Sequence, residues 1–291
     1  MWQRRVYTRR QACPPASPPP QLQHHAVAAA SSSSDPSRSW LPEIVERFAK
    51  SLTPNEVAGT LRLVNKASAA QFRGPKHTTI RLSQPVPHHA FVRRWAGPGA
   101  MHSLARKQRR ELLCLTARSG VIANLELLLG RGDMPPSKDD DIFRAAASAG
   151  HKETCGWLLA KSCPEADRWK AAASAAAGGH VALMDWLLLH AAPLMEGDVT
   201  DEEVTLMAGA ANGCDLRTLQ RLHHTHMEGR RARTVRGRDE MERIISAAAG
   251  SLTADWQAKV EWLEARGYPR TASSCDGAPA ACAPDALPRM Q

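Results

Sequence analysis

The chain repeats itself at a fixed interval. Ala145-Ala-Ala-Ser-Ala-Gly150-His151 is followed by Trp157-Leu158-Leu159 and Pro164; Ala175-Ala-Ala-Gly-Gly179-His180 is followed by Trp186-Leu187-Leu188 and Pro193. Every matched position is displaced by the same 29 residues (179 − 150, for example). A constant period in this range belongs to chains built of stacked units, none of which can bury its apolar face alone. Such a chain is a binding scaffold before it is anything else, and the repeat does not say what is bound.

Each unit reads as two short antiparallel helices. The first is almost all alanine, which favours helix and lets neighbouring helices approach closely. Gly150 and Gly179 stand where a left-handed residue would end it. The second carries apolar residues at helical spacing, as in Val181, Met184, Leu187 and Leu188, and a proline stops it. Upstream, Leu112-Leu113-Cys114-Leu115 precedes Gly120, then Leu125, Leu128, Leu129 and Pro135. Downstream, Leu206 to Ala211 precedes Gly213, then Leu216, Leu219 and Leu222. A last unit has Ile244-Ile245 and Ala247 to Gly250, then Trp262-Leu263 and Pro269, with an insertion expected near Ser251–Asp255. About five units result.

The Ala-Ala-x-x-Gly-His…Leu-Leu pattern, best matched at Ala146, Gly150, His151, Leu158, Leu159 and at Ala175, Gly179, His180, Leu187, Leu188, resembles the ankyrin repeat over roughly 106–270. No unit carries the family's opening Thr-Pro-Leu-His, and the period is shorter than about 33. Abbreviated hairpin fingers, or plain turns, are therefore expected between units. Helical arrays with periods of about 34 or of 40 and more fit less well.

Residues 1–39 are rich in Pro and Ser, with Arg4, Arg5, Arg9 and Arg10 and no acidic residue before Asp35. That composition suits a solvated tail and also an organelle transit peptide. From Leu41 the character changes. Residues 41–52 form an amphipathic helix opened by Pro42, and Thr53-Pro54-Asn55-Glu56 reads as a capped restart. Val57, Leu61 and Val64 follow at helical spacing. The run Leu41, Pro42, Ile44, Leu52, Pro54, Leu61, Arg62, Leu63, Val64 and Lys66 resembles an F-box over about 40–72, although no Trp follows Lys66. The resemblance implies that Leu41, Pro42, Ile44, Leu52, Leu61 and Val64 contact a Skp1-like subunit of a cullin ubiquitin ligase. A bundle that caps the first repeat is the alternative. Residues 73–105 then connect module and array, with a short strand expected at Thr78–Leu82 and a helical turn around Phe91, Val92 and Trp95.

Catalytic signatures are missing from the sequence: no phosphate-binding Gly-x-x-x-x-Gly-Lys, no His-Glu-x-x-His and no Gly-x-Ser-x-Gly occurs. No enzyme activity and no cofactor is expected. His223, His224 and His226 near Cys214 could suggest a metal, but a polar helix end facing the carbonyl dipole explains them more simply. His151 and His180 are expected to bond a neighbouring loop, and Trp157, Trp186 and Trp262 to serve repeat packing ahead of ligand stacking. Trp169 lies outside that register. With Arg168 and Asp140 it marks a candidate protein contact on the array, or else a cap for the next helix. The Arg-rich stretch 229–238 suggests a solvated insertion or an import signal. Lacking interleaved aromatics, and with acidic turns at Asp139–Asp141 and Asp201–Glu203, it argues against nucleic acid.

Seven scattered cysteines without a Cys-x-x-Cys pair point to a reducing compartment, and only 5% of residues are aromatic, which suits Ala- and Leu-rich helices. No stretch is apolar for long enough to span a membrane. The expectation is thus an all-α solenoid of about five short ankyrin-like helix-turn-helix units, preceded by a small F-box-like module. Its segments are a tail at 1–39, a module at 40–72, a connector at 73–105, the array at 106–270 and a tail at 271–291. Its partners are proteins, including a Skp1-like subunit. The F-box resemblance implies the cytoplasm or nucleus, and the N-terminus leaves organelle import open.

Overall fold

The computed structural model describes residues 41–134, 139–161, 167–193, 199–228 and 236–269. The expected tails and most of the Arg-rich stretch lie outside these residues. Among them every regular element is a helix.

The N-terminal module is α1 (Pro42–Ser51), α2 (Pro54–Gly59), a 3-10 turn at Leu61–Leu63 and α3 (Lys66–Gln71). The restart between α1 and α2 forms as its residues dictate. Thr53 Oγ1 accepts from Glu56 N at 3.3 Å, and Glu56 returns a carboxylate oxygen to Thr53 N at 2.7 Å. This reciprocal capping satisfies two helix-end donors at once, and Pro54 supplies a first-turn residue that has no N–H to lose. The module owns a small core of Val45, Val57, Leu61 and Phe72, with Ala49 and Leu52 against it.

The connector holds α4 (Pro75–Thr78) and α5 (His88–Trp95). The strand expected at Thr78–Leu82 does not form. Among the described residues no strand offers an edge for residues 79–82 to pair with, and the side chain of Asn55 binds this backbone instead. Its Nδ2 donates to the carbonyls of Arg81, Gln84 and Pro85 at 2.8, 3.2 and 2.9 Å, while Oδ1 accepts from Arg81 N at 2.9 Å. A buried asparagine with both ends bonded replaces the ladder that a strand would have needed.

Five helix pairs follow: α6 (Arg106–Arg118) with α7 (Ile122–Leu129), α8 (Asp139–Ser148) with α9 (Lys152–Lys161), α10 (Arg168–Ala177) with α11 (Val181–Leu189), α12 (Asp201–Gly213) with α13 (Leu216–His226), and α14 (Arg236–Ala249) with α15 (Trp256–Glu264). The first helix of each pair packs on the first helix of the next, from α6 through α8, α10 and α12 to α14. One core runs through all five pairs and takes in Val86, Phe91, Trp95 and Met101 from the connector.

Gly120, Gly150 and Gly179 each adopt positive φ, at 74°, 80° and 76°, and turn the chain from the first helix into the second. That backbone conformation strains any residue with a Cβ. The histidine of the second pair lies on Gly120, and that of the third on Gly150. A Cβ built at Gly120 would be 2.6 Å from the His151 ring, and one at Gly150 would be 2.6 Å from the His180 ring. His151 Nε2 also donates to Arg118 O at 2.9 Å, a carbonyl at the end of α6 rather than in the loop expected.

The α10 and α12 backbones approach closely. A Cβ on Gly209 would collide with the Ala173 carbonyl, and one on Gly213 with those of Ala176 and Ala177. Alanine on one helix facing glycine on the other lets the two backbones touch.

The last junction is built differently. Its connection spans 250–255, against 149–151 and 178–180 in the repeats, in line with the expected insertion. Ser251 Oγ donates to Asn212 O at 2.6 Å in place of a histidine. Lys259, 0% exposed, donates to Ala211 O, Cys214 O and Ser251 Oγ at 2.7, 2.8 and 2.9 Å. Two of those acceptors lie at the carbonyl end of α12, where a cation is favoured. Burial draws the lysine below its ordinary pKa, and Asp255, 3.9 Å away, opposes that shift.

Candidate functional site

The N-terminal module uses only half of an apolar stripe. At 100° per residue, the apolar positions 44, 45, 48, 49 and 52 span one broad face of α1 and its end. Val45 is buried in the module core and Ala49 and Leu52 pack on it. Ile44 and Phe48, one helical turn apart, remain 41% and 60% exposed. Leu63 and Val64, at the end of the 3-10 turn, are 52% and 51% exposed. These four large apolar side chains on one small module are more than its own core uses.

The six residues named from the F-box resemblance therefore divide. Leu41, Pro42, Ile44 and Val64 are exposed, Leu52 is half-buried against the module core, and Leu61 is inside it. Phe48 and Leu63 were not among the expected contacts. Phe48 had a legible signal, since it follows Ile44 at i+4. Leu63 stood in the F-box-like run, but the switch from α-helix to 3-10 turn decides where it faces.

The module is joined to the first helix pair by paired polar groups. Thr60 Oγ1 lies 3.2 Å from His89 Nε2, and a Cβ on Gly59 would already press on Ala90. Beyond α5, His88 Nδ1 donates to Asn124 Oδ1 at 2.8 Å, and Asn124 Nδ2 donates to Val86 O at 2.9 Å. Arg131 donates to Trp95 O at 2.6 Å and forks onto both carboxylate oxygens of Asp133. That fork holds the Asp133 carboxyl below its usual range.

On the array, Asp140, Arg168 and Trp169 come close together but face inward in part. Asp140 accepts from Asp167 N at 3.1 Å, and Asp167 in turn caps α10 by accepting from Lys170 N. Trp169 is half-buried. Its indole N–H donates to Ala192 O at 2.9 Å and its ring meets His226 edge-on at 5.6 Å. Trp157, Trp186 and Trp262 are likewise half-buried against the core.

A groove of about 410 Å³ crosses α8, α10 and α12, lined by small residues with Arg144 and Lys170 at its edges. Lys170 is paired with Asp167 at 2.8 Å, and Arg144 reaches Ser174 Oγ at 3.4 Å.

The acidic turns and the histidine cluster have local employment. Glu203 forms a capping box with Thr200 on α12. Cys214 donates its thiol proton to Ala176 O, His223 packs on Trp262 and Tyr268, and His224 pairs with Glu228. Burial pushes the Cys155 and Cys214 thiols up to about 12 and about 11, which suppresses the thiolate needed for nucleophilic or metal chemistry. No helix among the described residues is long and apolar enough to cross a membrane.

Compared with family models, characterised proteins and solved structures, the chain gives no significant match to any of them.

Proposed function

We propose that the chain is a non-enzymatic protein–protein adaptor: an ankyrin-like solenoid that presents a target, carrying an F-box-like module that docks a Skp1-like subunit of a cullin ubiquitin ligase. The observation that carries this reading is the exposure of four large apolar side chains on one small module, Ile44 and Phe48 on α1 and Leu63 and Val64 at the 3-10 turn. A module serving only as a cap would turn such residues toward the array, whereas exposed large apolar side chains on a small module fit a surface that a partner covers. The polar joints through Asn55, Asn124 and Arg131 favour the same reading, since they seat the module on the array without drawing on those side chains. A plain scaffold with no ligase link is the second reading, and the array's long shared core supports it equally.

The test is capture with the full-length chain from cells, alongside purified Skp1-type protein. The double variant Ile44→Asp, Phe48→Asp should lose the subunit and keep the wild-type melting point, because both side chains are exposed in the free chain. If wild type captures neither a Skp1-type subunit nor a cullin, the ligase link fails. If the variant binds as well as wild type, this face is the wrong one.

A further inference from the structure

The C-terminal helix pair is fastened to the fourth pair at two points of different chemistry, one on α12 and one on α13. At one end of α15, Lys259 is anchored on the α12 carbonyls. At the other, the His223 ring meets Trp262 edge-on at 5.1 Å and lies 6.0 Å from Tyr268. Its Nδ1 is buried and has no hydrogen-bond partner. The Arg266 guanidinium stacks on the same Trp262, 3.7 Å from the ring centre. This is a site shaped for a neutral imidazole: aromatic walls, a cation alongside and, among the described residues, no hydrogen-bond partner for Nδ1.

We propose that His223 is an acid-sensitive clasp: when its imidazole takes up a proton from solvent, the Trp262–Tyr268 end of the last pair leaves α13 while the Lys259 end stays anchored.

The charges around the ring favour this outcome. From α15 and the turn after it, His223 faces Trp262, Tyr268 and Arg266. From its own helix end it feels Glu228, which His224 already engages. Glu203 of α12 is turned to His226 at 3.6 Å, and Arg221 of α13 is paired with Asp185 of α11. Burial, and then Arg266, hold the imidazole below the ordinary histidine value, against a smaller opposing pull from Glu228. For a group depressed in the fold, the stability it gives is present above the unfolded value, about 6.5. It is lost as pH falls from there through the folded value. The clasp is independent of whether the chain serves a ligase.

Hydrogen exchange of the full-length chain at pH 7.5 and 5.5, corrected for intrinsic rates, tests it. In wild type, protection over 260–268 should fall on acidification by up to about tenfold per pH unit, the limit for one proton. Segments over α10 and over 251–259 should hold. His223→Gln, neutral at both pH values, should show no such fall. Equal protection of wild type at both pH values, or the same loss in the variant, overturns the clasp. If His223→Gln is already open at pH 7.5, nuclear magnetic resonance titration of His223 in wild type decides. A midpoint below the ordinary value that tracks the loss of protection supports the clasp; one at or above it overturns it.

Discussion

Two glycines inside helices should answer the same substitution with opposite signs. Gly209 lies within α12, and a Cβ there would stand 3.2 Å from the Ala173 carbonyl carbon and closer still to its oxygen. The obstacle is backbone, so no side chain can swing away, and α12 must retreat from α10 along their shared contact. Overpacking of this kind costs about 1–3 kcal/mol. Replacing a helical glycine returns about 0.5–1 kcal/mol of backbone entropy. The net for Gly209→Ala is a loss of about 1–2 kcal/mol, or about 2–8 °C in Tm for a chain of this size. Gly156 lies within α9 with nothing within 4 Å of its would-be Cβ, so Gly156→Ala keeps the gain and should raise Tm by about 1–4 °C. Thermal melts followed by circular dichroism at 222 nm would measure both. A Gly209→Ala protein that melts at or above wild type would refute the close approach of α10 and α12.

Gly179→Val should destabilise more than His180→Ala, by about 1–3 kcal/mol, because valine is strained at φ 76° and its Cβ would also press on Gly213 O; chemical denaturation curves rank the two. Asn55→Ala should orphan several backbone groups of residues 81–85 and cost about 1–3 kcal/mol, seen as faster hydrogen exchange over 79–86. Lys259→Met should cost a similar amount by leaving the Ala211 and Cys214 carbonyls unpaired, with α14 and α15 losing protection before α8 and α10. Cys155 and Cys214, buried with raised pKa values, should resist alkylation at pH 8 in the folded chain and label fully in denaturant, as peptide mass spectrometry would show.

Local signals were the legible ones. The capping box at Thr53 and Glu56, the left-handed glycines at 150 and 179, and the break at 250–255 each depend on a few neighbouring residues, and each was readable in order along the chain. What escaped was decided by distant partners. An alternating Thr78–Leu82 reads as a strand until Asn55, 26 residues away from Arg81, claims its backbone. Lys259 reads as a solvated helix position because nothing nearby announces the two carbonyls it meets. The breadth of the stripe on α1 was visible, but which half the module would consume depends on where Val57, Leu61 and Phe72 finally sit. Trp169 could be singled out as irregular, yet its bond to Ala192 lies beyond the next helix and its contact with His226 three helices on.

The glycine–histidine contact gives the array a direction. The second pair shows Gly150 to its successor and His151 to its predecessor, so the two ends of that unit are unlike and fit only head to tail. Excision of residues 151–179 would join Gly150 to His180 and recreate the same joint one pair shorter, with His180 falling on Gly120. The chain is thus cut for loss or duplication in whole cassettes, as long as the cut falls between the glycine and the histidine. The fourth pair, which turns at Gly213-Cys214, falls outside that scheme, and so does the fifth. The fifth meets its neighbour through Ser251 and Lys259 and offers no matching histidine, so it can close a row of cassettes but cannot be inserted among them.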